Sequence, residues 1–450
     1  MDKRVCVVGG GISGLCVAYR LQCAGLSVTL FEKSDKTGGN ITTLRRDGFL
    51  YELGPNSVLT SRDLLDLIIE LDLLSEIAKP EPQAKHRFIV RGGKLVELPS
   101  SVAGFLGTKA FSTRAKLRLL KEPFVRRDAS ETESVADFFE RRLGPEIVDY
   151  AVDPFVSGIY AGDPATLSLR HAFPKLYELE REFGSLAKGA LLSKKDRSKS
   201  LPKGTPRSLS FKRGMQTLSD ALTARLGRSV NLLANVLEVR ESDGTYQVVT
   251  EDGEQTFNAV VMATPAQAAS GICAGLDDEL SATLDKIYYA PVAVVFTAFK
   301  QSDIAIDPKG FGFLVPGIEK RHILGSLWTS SVFENRAPDG YHIFTTFVGG
   351  SRNAELCTLS ENELTAISIE ELYDLMGATG EPVFTEVQKW KNAIPQYNIG
   401  YESIATAIRR FENDHPDFYF CSNFYKGISV GDCVKNSIAV AERLIGRDSR

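Results

Sequence analysis

Ten residues near the start constrain this chain more than any other stretch: Val5-Cys6-Val7-Val8-Gly9-Gly10-Gly11-Ile12-Ser13-Gly14. The apolar run at 4–8 predicts a strand buried on both faces. Glycines at the spacing G-x-G-x-x-G follow it directly, and residues 12–24 then show helical periodicity. Strand, glycine turn and helix in that order open a βαβ unit that cradles a dinucleotide. Gly9 makes the tight turn, Gly11 lets the backbone approach a pyrophosphate, and Gly14 lets the helix pack on the strand. Gly10, Ile12 and Ser13 complete the turn and the helix start, whose free N–H groups and partial positive charge suit phosphates. A second strand at 27–31 leads to Glu32, eighteen residues past Gly14. Its carboxylate can accept both ribose hydroxyl protons and would repel a 2′-phosphate. Lys33 is carried beside it as a cofactor contact.

Two more glycine turns favour FAD over NAD. Gly38-Gly39-Asn40 opens a hairpin over 41–53, turning at Asp47-Gly48, and Gly54-Pro55-Asn56-Ser57 follows it. The first can lie along the pyrophosphate and the second near the flavin ring, as a long extended FAD requires; the alternative is loop glycines with no ligand. No second G-x-G-x-x-G occurs, so a separate NAD(P)H domain is not expected. Reduced flavin would then be reoxidised by molecular oxygen or a quinone.

At 450 residues, two or three domains are expected. A net charge of −4 gives no basic field for nucleic acid. Seven cysteines, none in a C-x-x-C pair, speak against a disulfide framework or a zinc site, so no metal is expected. Cys6, Cys16 and Cys23 read as core filler. Only Met1-Asp2-Lys3 precede the first strand, and no run approaches the roughly 20 apolar residues that span a bilayer. The expectation is a cytoplasmic protein, at most lying against the cytoplasmic membrane.

Along the chain, residues 61–74 predict an amphipathic helix capped by Ser61, and 86–98 two short strands. Helical patterns dominate 100–199. Residues 194–213, with eight Lys or Arg and one acid, read as a flexible loop. Strands are expected at 230–233, 236–239, 246–250, 256–262, 292–299, 311–315, 323–327 and 342–347. A helix is expected at 361–376, a strand at 418–421 and a final helix at 433–445. The fold class is α/β: a Rossmann-type FAD-binding domain (1–82, 205–275, 393–450), a β-rich substrate domain (83–98, 276–392) and an inserted helical domain (99–204).

One segment carries a family resemblance. Asp153-Pro154-Phe155-Val156-Ser157-Gly158-Ile159-Tyr160-Ala161-Gly162-Asp163-Pro164 resembles the hallmark of the oxygen-dependent, FAD-containing protoporphyrinogen oxidases, which share the amine-oxidase-like fold. So do 167–174, Gly184-Ser185, 312–316, 324–327, 345–353 and Gly427-Ile428-Ser429-Val430-Gly431-Asp432-Cys433. The resemblance implies oxidation of a porphyrinogen to a porphyrin in three two-electron steps. In each, a hydride passes to flavin and a proton leaves a pyrrole nitrogen, with oxygen taking the electrons to peroxide. It also implies that the helical domain contacts a membrane.

The family pattern further places Leu314 and Leu327 against one face of the macrocycle, Phe347 stacked on it, and Gly162 beside the substrate. By pattern alone Leu314, Leu327 and Phe347 are inward-facing sheet residues. Arg87 matches a position that pairs with a substrate propionate; its neighbours Lys85, His86, Arg91 and Lys94 leave open a merely solvated basic surface. Val236 falls at the adenine, Trp390 near the flavin, Ile428-Ser429-Val430 at the ribityl chain, and Gly431 and Asp432 continue that contact. Trp390 as plain core is the alternative. No general acid or base stands out, and His171 reads as structural. An amine oxidase would carry a lysine on the strand at 291–299, which has no charge. Coproporphyrinogen III oxidation is the close rival. A homodimer is carried as an expectation without a residue to support it.

Overall fold

A computed structural model describes residues 3–127, 130, 132–197, 201–202 and 204–448. Arg4–Val8 is the middle strand of a five-stranded sheet ordered Val230–Asn231, Ser27–Phe31, Arg4–Val8, Ala259–Met262, Phe418–Phe420, every pair parallel. Val5, Cys6 and Val7 have no exposed surface, as a strand covered on both faces requires. This sheet draws its strands from the start, the middle and the end of the chain. The helix Ile12–Cys23 packs on it, and the closing helix Val430–Asp448 packs beside that helix, where Ser437 Oγ donates to the Ser13 carbonyl at 2.9 Å. Cys6 and Cys16 are buried, whereas Cys23 is exposed at the end of its helix and fills no core.

A mixed seven-stranded sheet runs Phe384–Pro395, Tyr289–Lys300, Tyr341–Gly349, Ile323–Leu327, Gly312–Leu314, Phe88–Arg91, Lys94–Glu97. The helix Glu361–Met376, opened by a capping box between Ser360 and Glu363, covers one face. The other face carries Val292, Val294 and Phe296 against Phe49 and Tyr51 of the hairpin Thr43–Arg46/Phe49–Glu52. Short helices between Val102 and Arg197 form the remaining layer, including Asp153–Tyr160, which ends at Ala161 with φ +47°.

Three expectations change. Part of the basic stretch 194–213 is structured: the helix Leu186–Arg197 enters it, and Ser208–Phe211 is a strand pairing with Val58–Leu59 and Ile77–Ala78. Residues 198–200 and 203 of that stretch lie outside the described residues. The stretch 256–262 is two strands in different sheets, Gly253–Phe257 and Ala259–Met262, because the chain turns at Asn258 from the antiparallel Val236–Ser242/Thr245–Thr250/Gly253–Phe257 sheet into the parallel one. Finally, the strand Phe384–Pro395 and the helix Tyr401–Asp414 went unread.

Candidate active site

The glycine turn has the geometry its sequence demands. Gly9 sits at φ +107° and donates to the Phe31 carbonyl at 2.8 Å. A Cβ on Gly14 would run into the Gly9 carbonyl oxygen, whereas a Cβ on Gly11 would meet nothing within 4 Å. One glycine is therefore required by packing, and the other borders open space. Gly38 donates to the Gly10 carbonyl at 2.8 Å, and a Cβ on Gly39 would lie 3.3 Å from Gly11 Cα, so the second glycine turn folds onto the first. The Glu32 carboxylate accepts from Gly10 N–H at 2.7 Å and Ser34 N–H at 2.8 Å, which fixes it at the mouth of the turn. The Glu32 carbonyl accepts from Ala234 N–H at 2.9 Å, bringing buried Val236 to the same end. Lys33 and Asn40 are exposed beside it.

The hairpin and the chain's last turn build the neighbouring part of the candidate site. A Cβ on Gly54 would collide with the Asn40 carbonyl, so the two glycine turns close the base of the hairpin together. Pro55 and Ser57 are half-buried there, and Asn56 Oδ1 is buried without a partner among the described residues. Trp390 Nε1 donates to the Leu53 carbonyl at 2.8 Å. Ser429 caps the closing helix, its Oγ accepting from Asp432 N–H at 3.1 Å and donating to Asp432 Oδ2 at 2.6 Å. A Cβ on Gly431 would lie 3.6 Å from the Leu59 carbonyl, so this helix start borders the 54–59 segment. Ile428 and Val430 are half-buried on either side of the cap. Tyr397 OH donates to the Asn423 carbonyl at 2.7 Å and accepts from Gly427 N–H at 2.8 Å, setting that turn. Open space at Gly11, a second helix start and the unpartnered Asn56 Oδ1 suit an extended cofactor with polar edges.

Sheet register supplies the wall beside it. Val294, Phe347, Gly325 and Leu314 are consecutive cross-strand partners, so they form one row on one face, with strands roughly 4.8 Å apart. Trp390 pairs with Val292 one step along, and Leu327 pairs with Gly312 one step the other way. Glycines at 325 and 312 clear the face, so Leu314 and Leu327 stand above bare backbone. Leu314 also meets the hallmark helix, since a Cβ on Gly158 would lie 2.8 Å from its Cδ2. Gly162 is buried, and a Cβ there would collide with Gln396 Oε1, so glycine at this position is a packing requirement.

Arg87 is exposed at the far end of the wall, just ahead of Phe88, which pairs with Phe313. Its guanidinium lies 5.0 Å from the centre of the Phe311 ring and has no carboxylate partner among the described residues. Of its basic neighbours, Arg91 is paired with Glu146 at 2.8 Å and His86 with Glu97 at 2.5 Å, whereas Lys85 and Lys94 are exposed without a carboxylate partner among the described residues. His171 Nε2 lies 3.1 Å from Glu402, its ring 5.2 Å from that of Tyr401, and burial pushes its pKa down. The central strand Tyr289–Lys300 is uncharged until its exposed last residue.

Residues 12–445 match the model of the flavin containing amine oxidoreductase family. The chain belongs to that family. It is therefore an FAD-dependent oxidoreductase. Protoporphyrinogen oxidase 2 of Arabidopsis thaliana is 36% identical over 98% of this chain and 94% of that protein. Coproporphyrinogen III oxidase of Bacillus subtilis is 28% identical over 98% of each chain. A crystal structure from Exiguobacterium, provisionally assigned as a protoporphyrinogen oxidase, superposes with a TM-score of 0.82 at 25% identity, covering 99% of both chains. Among the described residues of this flavin oxidoreductase, no helix is long and apolar enough to cross a membrane.

Sequence reasoning missed three parts of the site. Glu52, two residues before Gly54, is buried and accepts from Thr43 Oγ1 at 2.6 Å and Met215 N–H at 2.9 Å. Tyr397 was hidden because the Gly427 turn it holds, itself marked in the sequence, lies 30 positions away. Asp153 and Arg352 both stand in family-like segments, but their pairing at 2.8 Å spans 199 positions and is invisible to local pattern.

Proposed function

We propose that this enzyme oxidises protoporphyrinogen IX to protoporphyrin IX. The observation that carries the reading is the row Val294–Phe347–Gly325–Leu314. It is an apolar wall without an ionisable side chain, running from the Trp390–Leu53 junction toward a single uncommitted arginine. A porphyrinogen is a flat apolar disc with carboxylates at its rim, and this surface offers the matching order of contacts. When bound, FAD supplies the two-electron acceptor, and oxygen takes the electrons on as peroxide.

The chain's own residues act by holding. Glu32 is oriented to accept ribose hydroxyls, and the helix starts at Ile12 and Val430 offer N–H groups to the cofactor. Leu314, Leu327 and Phe347 orient the disc, and Arg87 pairs with a propionate at its rim. Positioning of this kind supplies much of a hydride transfer, which fits the lack of an acid or base along the wall. Oxygen uptake with protoporphyrinogen IX, three molecules consumed per porphyrin formed, is the test. The coproporphyrinogen reading has support in the 28% relative.

We also infer that the protein lies on the cytoplasmic membrane. By sequence, residues 102–111, apolar with one lysine, are the expected contact; Ala110 and Phe111 are buried, however, and the side chains of Val102, Ala103 and Leu106 lie outside the described residues. The apolar surface is instead Leu117, Leu120, Phe124, Leu191 and Leu192, with Phe124 86% exposed.

A further inference from the structure

The helix Asp153–Tyr160 is gripped at both ends by a single loop. At its start, the Asp153 carboxylate receives Arg352 Nη1 at 2.8 and 3.0 Å. At its end, the Ala161 carbonyl accepts from Ser351 N–H at 2.7 Å, and a Cβ on Gly350 would lie 2.7 Å from that same oxygen. Residues 350–352 continue directly from the strand Tyr341–Gly349, which carries Phe347. The second oxygen of Asp153 also accepts from Gly317 N–H at 2.7 Å, and Gly317 lies three residues past Leu314. A Cβ on Gly317 would strike Arg352 Nη1, so the three groups close into one tight knot. Between the two grips, Gly158 rests against Leu314. Asp153 and Arg352 are only 14% and 18% exposed, so solvent screens the pair weakly.

We infer that Asp153 and Arg352 are positioning residues that hold Leu314, Phe347 and the 153–160 helix at the spacing needed to clamp the substrate macrocycle. Neither side chain has to touch substrate or flavin. The knot ties the continuation of the Phe347 strand to the continuation of the Leu314 strand, with the helix as the spacer. Slackening it lets the helix slide against Leu314 and shifts Leu314 relative to Phe347 along the wall. The inference rests on the porphyrinogen reading above.

The test uses Asp153→Asn, which keeps an acceptor for Gly317 N–H and removes the charge, together with Arg352→Met and Arg352→Lys. FAD content, melting temperature, KM and kcat for protoporphyrinogen IX, and protoporphyrin binding by fluorescence quenching are measured on each. Asp153→Asn and Arg352→Met should raise KM and the porphyrin Kd about 10- to 100-fold, with FAD content unchanged and kcat held within about three-fold. Arg352→Lys should restore part of the loss, because an ammonium keeps the charge that Nη1 alone now brings to both Asp153 oxygens. Should Arg352→Met not fold, Asp153→Asn and Arg352→Lys decide alone. The inference is overturned if folded variants bind porphyrin within about two-fold of wild type, or if the loss follows FAD content and melting temperature. A wild-type enzyme that oxidises no porphyrinogen overturns the substrate reading and this inference with it. An active wild type with unmoved variants overturns this inference alone.

Discussion

Trp390 donates its indole N–H to the Leu53 carbonyl at 2.8 Å, across 337 positions of sequence. The bond joins the edge strand of the seven-stranded sheet to the loop that leads into Gly54-Pro55-Asn56-Ser57. It sets the 54–57 turn beside the apolar wall, so that on the proposed reading a disc lying on Leu314 and Phe347 would have one rim at the flavin end and the other near Arg87. An indole with its N–H satisfied and its ring half-buried suits a boundary between a polar loop and an apolar face.

The cofactor should be FAD held without a covalent bond. Residues 391–401, just past Trp390, contain no cysteine that could form a thioether. Acid precipitation of the purified yellow protein should leave the flavin in the supernatant, and flavin in the pellet would defeat the claim. Gly11→Val should give a folded, colourless protein, because its side chain enters open space that the pyrophosphate needs. Gly14→Val should fail to fold stably, because its Cβ meets the Gly9 carbonyl.

Arg87→Ala should raise KM about 10- to 150-fold at unchanged FAD content, the value of a charge-assisted pair of roughly 1.5–3 kcal/mol. Arg87→Lys should recover only part. The esterified porphyrinogen carries no rim charge, so wild type and Arg87→Ala should handle it almost equally. A deficit that persists with the ester would show that Arg87 reads no carboxylate.

Burial pushes the Glu52 carboxyl up to about 7, against the pull of hydrogen bonds from Thr43 and Met215 and the charge of Arg336. The folded protein therefore holds a proton on Glu52 where the unfolded chain, at roughly 4.3, has released it. The stability this gives is complete at acid pH and is lost as pH rises from about 4.5 through about 7. Glu52→Gln keeps the shape and cannot ionise. Wild type should lose roughly 3 kcal/mol relative to this variant between pH 4.5 and 8. Parallel denaturation curves at several pH values in that range would show a growing gap; a constant gap would contradict it.

Vesicles decide the membrane reading. The exposed Leu117, Leu120, Phe124, Leu191 and Leu192 supply apolar surface, and lysines and arginines at 194–213 add attraction to anionic lipid. The protein should float with anionic liposomes at low salt and much less with neutral ones. Charge substitutions at Leu120 and Phe124 should weaken flotation and leave turnover in detergent unchanged. Absence of flotation at low salt would sink the proposal.

The glycine turn was legible because its geometry is local. Gly9, Gly14 and Glu32 lie within one βαβ unit, and the tight turn, the close packing and the Gly10–Glu32 contact follow from their spacing. The strand Phe384–Pro395 was not legible. As the outer strand of its sheet it pairs on one side only, and its Glu386, Lys389 and Lys391 masked its alternation. Charge likewise concealed Ser208–Phe211, whose Leu209 and Phe211 are fully buried. The helix Tyr401–Asp414 did carry its signal, with Tyr401, Ile404, Ala405, Ile408 and Phe411 at helical spacing. The wall residues were named through family resemblance, and only register put Phe347, Gly325 and Leu314 in one row. Pairs such as Asp153 with Arg352 join distant segments and needed the fold.

The most direct test is porphyrin fluorescence after mixing the purified protein with protoporphyrinogen IX in air, alongside coproporphyrinogen III under the same conditions. The account predicts rapid, enzyme-dependent appearance of protoporphyrin IX with a higher kcat/KM than for coproporphyrin III. Porphyrin formation no faster than autoxidation with either substrate, or a clear preference for coproporphyrinogen III, would contradict it.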